Sequence, residues 1–213
     1  MVIPKLPDRP DPAVLAASDP EYHPIDTDTV LWRIRRTTGT HVTAWNEFRE
    51  YGPISTCRFD PHPDGPPRRH KGLGVLYAAA ALPTALAEVY QTTRVIDCVS
   101  GSPAATAFRF RRPVRLLDLT GDWPLRAGAS HLINTGRRAA SRAWARVFLT
   151  VWPDLDGLWH TPSLTGQPCA TLYSRAGDAL PTAPARTFAL DDPHYLDWVL
   201  VAADTIGYDL IHR

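Results

Sequence analysis

Leu73-Gly74-Val75-Leu76-Tyr77-Ala78-Ala79-Ala80-Ala81-Leu82-Pro83-Thr84-Ala85-Leu86-Ala87-Glu88-Val89-Tyr90 changes character halfway along. Its first part is short, apolar and β-compatible, which predicts a buried strand over residues 73–79. Pro83 then predicts a helix start, because its fixed φ suits the first turn and its missing N–H is not needed there. On that helix Leu82, Leu86 and Val89 share a face at steps of four and three, with Glu88 beside the stripe. A strand ending near a tyrosine, followed by a helix that brings in one carboxylate, makes a corner of an active site. On the local pattern alone, an ordinary solvated helix position is the first reading of Glu88.

Outward from this core, Val30, Trp32 and Ile34 alternate with Leu31, Arg33 and Arg35, the period of a strand. Short strands are predicted at 56–60, 107–110, 114–119, 158–161, 169–173 and 187–190. Pro61 to Lys71 holds too many prolines for regular structure and reads as a loop. A helix is predicted over 135–150 from Ala140, Trp144, Val147 and Phe148. Another is predicted after Asp191-Asp192-Pro193, with Tyr195, Trp198, Val199 and Ala202 as its buried stripe and Gly207 as its stop. Strands dominate, so the class is α+β. Residues 1–25, rich in proline and aspartate, read as an extended arm, and 26–213 as one domain.

The 213 residues suffice for a core that buries roughly 70% of the unfolded chain's surface, without disulfide or metal. A net charge of +1 provides no global field for nucleic acid. Three scattered cysteines, Cys57, Cys98 and Cys169, point to free thiols in a reducing compartment, and no apolar run reaches membrane-span length. The expectation is a soluble cytoplasmic protein without a membrane or direct nucleic-acid role. No dinucleotide-binding or P-loop glycine pattern, zinc-ligand spacing or serine elbow is present, so no metal is expected.

What remains is an ordered set: Arg33 after Trp32, Arg58 before Phe59, Tyr77 in Val-Leu-Tyr, Glu88 in Ala-Leu-Ala-Glu-Val, and Ser163 at the end of Asp156-Gly157-Leu158-Trp159-His160-Thr161-Pro162-Ser163. This order, over about residues 28–190, resembles the RES domain family. The resemblance implies two packed, mostly antiparallel sheets with surrounding helices, as in the ADP-ribosylating toxins. It implies NAD⁺ as substrate, cleaved at the nicotinamide–ribose bond by a toxin (a glycohydrolase or phosphorylase) that an Xre-type helix-turn-helix antitoxin controls. Transfer of ADP-ribose to an acceptor and non-catalytic NAD binding are the alternatives, and a homodimer is left open.

On that resemblance Glu88 stabilises the cationic ribose carbon, and Arg33 and Arg58 hold phosphate oxygens in forked hydrogen bonds. Tyr77 stacks on the nicotinamide or touches its ribose, and Ser163 bonds that ribose or the carboxamide. Without it, the arginines read equally well as surface charges, Tyr77 as a core aromatic and Ser163 as a turn serine. The chain departs from the family pattern at Trp32, at Phe59-Asp60 and in the length of the 61–71 loop.

Overall fold

The computed structural model describes residues 5–212, so the first four residues of the predicted arm lie outside it. In chain order the elements are α1 (Pro12–Ala16), β1 (Tyr22–Ile25), β2 (Leu31–Arg36), β3 (Tyr51–Gly52), β4 (Arg68–Arg69), β5 (Val75–Ala79), α2 (Leu82–Val89), β6 (Val95–Asp97), β7 (Pro103–Phe108) and β8 (Val114–Asp118). They continue with α3 (Trp123–Arg126), α4 (Leu132–Thr135), α5 (Arg138–Val151), β9 (Gly157–His160), β10 (Cys169–Tyr173), β11 (Arg186–Ala189), α6 (Leu196–Ile206) and β12 (Asp209–Ile211). The class is α+β, with a large, mainly antiparallel sheet, smaller two-stranded sheets and helices around them.

The large sheet has eight strands in the order β1-β8-β9-β10-β5-β2-β7-β11. All its neighbours are antiparallel except β8 and β9. Its halves are unequally joined. β5 pairs along its whole length with β10, and β2 along its whole length with β7. Between β2 and β5 only Trp32 and Ala79 are in register. The sheet therefore splits in its middle into a five-strand and a three-strand half, and a cleft opens at the seam.

Alternation along β5 distributes its side chains to two cores. Val75 and Tyr77 face a cluster with Trp144, Phe148 and Trp123, and Leu76 and Ala78 face one with Leu116, Leu172 and Phe108. A third cluster joins Leu82 and Leu86 of α2 to Val199, Ala202 and Ala203 of α6. The predicted stripe of α2 needs one correction. Leu82, Ala85 and Leu86 are buried, but Val89 is half exposed and lines the cleft.

Residues 12–16 are a helix rather than extended arm, since the Asp11 carboxylate accepts from Ala13 N at 2.8 Å and Pro12 opens the first turn. Residues 56–60 form turns, not a strand. The helix after Pro193 begins at Leu196 and stops, as expected, at Gly207 in the left-handed region.

Gly157 shows how closely the strands approach. A Cβ there would lie 2.3 Å from Thr171 O and 3.0 Å from Leu116 Cδ2. Gly157→Ala is expected to destabilise by about 1–3 kcal/mol, read as a lowered denaturation midpoint.

Candidate active site

The seam opens into a cleft of about 1060 Å³. Arg33, Arg58, Tyr77, Glu88 and Ser163, from five separate segments, all line it. Each is held differently.

Glu88 lies one residue before the end of α2. A carboxylate there faces the negative end of the helix dipole, so local electrostatics disfavour it. Its Oε1 is buried and has no hydrogen-bond partner. Burial raises its pKa above the usual glutamate value, and the nearby Arg58 and Arg138 guanidiniums offset part of that rise. A buried, unpaired carboxylate at a helix C-terminus has no structural advantage and is suited to a ligand that carries positive charge.

Arg58 donates through Nη1 to Gly136 O at 2.7 Å and Ser141 Oγ at 3.2 Å. Burial and the neighbouring Arg138 lower its pKa, and Glu88 opposes them. Arg33 is committed to the adjoining loop: its Nη1 donates to Trp45 O at 2.7 Å and Glu47 O at 3.0 Å, and its Nη2 to Thr43 Oγ1 at 3.3 Å. Burial lowers it to about 10, with Arg35 adding to the effect, so it remains a cation at neutral pH. The expectation that Arg33 offers its whole fork to phosphate therefore changes, since part of that fork latches the 43–47 turn. Tyr77 has a buried hydroxyl beside the Cys57 thiol, and burial holds it far from ionisation. Ser163 is exposed, just after the buried Pro162.

Sequence reasoning missed the group that shapes this wall. Asp60 is fully buried. Its Oδ2 accepts from Arg49 Nη2 at 2.8 Å and Ile54 N at 3.0 Å, and its Oδ1 from His62 N at 3.0 Å and His62 Nδ1 at 2.5 Å. Burial pushes this carboxyl up, but the bonds from His62, Ile54 and Arg49 outweigh it and hold it well below the usual carboxylate range. Asp60 thereby fixes the loop that presents Cys57 and Arg58. Two arginines of α5 fasten the same loop from outside: Arg142 donates to Ser55 O at 2.8 Å, and Arg146 to Asp64 at 2.7 Å.

Asn134 and His160 also line the cleft and were not singled out. Asn134 Nδ2 donates to Leu119 O at 2.7 Å, and its Oδ1 is buried without a partner. His160 Nε2 bonds Thr171 Oγ1 at 3.0 Å. Burial, with Arg58 nearby, lowers this histidine to about 3, so the imidazole is neutral. Among the described residues no His/Cys/Asp/Glu group is arranged to hold a metal, and no helix is long and apolar enough to cross a membrane.

Residues 30–191 match the family model described as "RES domain". Among solved structures the chain is similar to one in the crystal structure of the M. tuberculosis MbcT–MbcA toxin–antitoxin complex, at 15% identity and a TM-score of 0.50, over 87% of this chain and 94% of that one. At that identity the likeness is one of fold. No curated protein matches the chain.

Proposed function

Because this chain belongs to the RES domain family, we propose that it is an NAD⁺-degrading toxin that cleaves the bond between nicotinamide and ribose and is restrained by a cognate antitoxin. The observation that carries this reading is the buried, unpartnered Glu88 Oε1 in a cleft shared with Arg33, Arg58, Tyr77 and Ser163.

Nicotinamide leaves as a neutral molecule, so the chemistry needs no acid to protonate it. The C1′–N bond breaks, its electron pair goes to the ring nitrogen, and positive charge develops at C1′ and the ring oxygen of the ribose. A fixed carboxylate stabilises that charge, and most strongly in a water-poor site. Glu88 has this role. When water attacks C1′, its proton passes to the Glu88 carboxylate and ADP-ribose is released. When phosphate attacks, the product is ADP-ribose 1″-phosphate.

Arg58 supplies guanidinium charge for phosphate oxygens, and Arg33 does so with the part of its fork that the 43–47 turn leaves free. Tyr77 offers its ring to the nicotinamide, and Ser163 its hydroxyl to the adjoining ribose. The partner is a helix-turn-helix antitoxin of the Xre type seated over the cleft mouth. The compartment is the cytoplasm, where NAD⁺ is abundant and the free thiols of Cys57, Cys98 and Cys169 stay reduced.

Incubation of the purified protein with NAD⁺, with and without phosphate, tests the reading by chromatography. Free nicotinamide is expected in step with ADP-ribose, or with its 1″-phosphate when phosphate is present. Labelled acceptor protein without bulk turnover would move the assignment to ADP-ribosyl transfer. Binding without any nicotinamide release would overturn it.

A further inference from the structure

Two side chains that line the cleft carry a buried polar atom with no partner: Glu88 Oε1 and Asn134 Oδ1. Native proteins leave few such atoms unpaired, so two in one cavity mark a surface that a ligand completes. Glu88 already has an assignment. Asn134 is the informative one, because its chemistry is fixed. Leu119 O is an acceptor only, so the atom 2.7 Å from it must be the amide nitrogen. The orphaned atom is then the carbonyl oxygen, which can only accept.

The surroundings say what kind of group it accepts from. Arg58 reaches Gly136 O and Ser141 Oγ, and Ser141 Oγ donates to Ile133 O at 2.7 Å, so this arginine is anchored on both sides of Asn134. Glu88 and His160 both feel the Arg58 charge. Asn134 Oδ1 and Glu88 Oε1 are both bare acceptors in one cleft, and together they suit a ligand that brings N–H donors and positive charge.

We infer that Asn134 is a specificity-determining residue whose Oδ1 accepts a hydrogen bond from the carboxamide NH₂ of the nicotinamide ring. The inference rests on the NAD⁺-cleaving reading above and deepens it. With the carboxamide assigned to Asn134, Ser163 is left to the ribose. A site that requires an N–H donor discriminates against an analogue without one, because its own acceptor is then left buried and unpaired.

Two dinucleotides separate the donor from the rest of the group. Thionicotinamide adenine dinucleotide keeps the NH₂ and alters the acceptor, whereas 3-acetylpyridine adenine dinucleotide keeps the carbonyl and lacks the NH₂. For the wild-type protein the acetylpyridine analogue is expected to show a KM higher than that of NAD⁺ by roughly ten- to hundredfold, and the thio analogue a KM close to that of NAD⁺. In Asn134→Leu the ratio of acetylpyridine to NAD⁺ KM should fall towards one. Comparing ratios between the two proteins cancels the different leaving abilities of the pyridines. The Leu119 carbonyl loses its donor in that variant, so near-UV circular dichroism accompanies the kinetics. If the variant does not fold, the wild-type series alone decides. Turnover of NAD⁺ with an equal KM for the acetylpyridine analogue overturns the Asn134 assignment and leaves the cleavage reading intact. Absence of NAD⁺ turnover by the folded wild-type protein removes the cleavage reading, and this assignment with it.

Discussion

Glu88→Gln is expected to lower the rate of NAD⁺ cleavage on the order of 10²–10³-fold and, at neutral pH, to raise the melting temperature. Both outcomes come from one physical fact. One oxygen of the carboxylate is buried and without a partner near the negative end of α2, so the fold tolerates its charge rather than benefits from it. Burial places its folded-state pKa above the ordinary value of 4.5, against the pull of Arg58 and Arg138. A carboxyl with a raised folded-state pKa binds its proton more tightly when folded. Its contribution to stability is complete below the unfolded pKa and is lost as pH rises through the folded one. Above that folded value the group is ionised and the contribution is gone. Glutamine keeps the shape without the charge, so the variant is the more stable protein near pH 7, and the difference shrinks as acid protonates the wild type.

The same shift places the acid limb of kcat/KM above the usual glutamate value. Thermal melts of both proteins between acid and neutral pH, beside the rate profile, check the whole argument. Full activity in Glu88→Gln, or equal stability at pH 7, would contradict it.

The second large effect concerns Asp60. Removing its carboxylate in Asp60→Ala leaves Arg49, His62 and the Ile54 N–H without their acceptor inside the protein. Breaking a buried pair by deleting one partner is destabilising by about 3–5 kcal/mol. Here the folded-state pKa is depressed, so the sign is the opposite of that for Glu88. Asp60 contributes its stability above the unfolded pKa, and the contribution fades only as pH falls through the depressed folded value. The gap between wild type and variant is thus widest at neutral pH and narrows in strong acid. Because Asp60 positions the loop that carries Arg58, KM for NAD⁺ should rise more than kcat falls. As a control, Glu21→Gln breaks the exposed Arg126–Glu21 pair and should leave the melting temperature nearly unchanged. Urea titrations of the three proteins at two pH values distinguish these outcomes.

The parts of the fold legible in the sequence are those whose pattern is local and continuous. The strand and helix across residues 75–89 and the α5 stripe of Ala140, Trp144, Val147 and Phe148 repeat often enough to define their own period. β1 was hidden because it is an edge strand, where Pro24 is tolerated and apolar alternation is not required. β6 and β12 are three residues each, and they pair only because the chain end returns to them. Val89 misled because periodicity places a side chain on a helix face without saying whether that stretch of the face is covered or opens on a cleft.

The candidate site divides in the same way. Arg33, Arg58, Tyr77, Glu88 and Ser163 were legible through their order along the chain, and the structure brings them to one cleft. Asp60, Asn134 and His160 were not, since a lone polar residue carries no period. Their significance lies in partners from other segments: Arg49 and His62 for Asp60, Leu119 O for Asn134, Thr171 for His160.

The seam in the large sheet has one more effect. β5 is stitched to its open side at both ends, by Trp32 against Ala79 and by Arg49, which exchanges two backbone hydrogen bonds with Val75. Backbone groups along a strand alternate sides, so Tyr77, two residues from each stitch, directs its own N–H and C=O into the opening. An unpaired strand edge ordinarily invites another chain to add to it. Here the window is a single residue wide, too narrow to template an added strand, and the molecule keeps a hole in its main sheet without acquiring a sticky border.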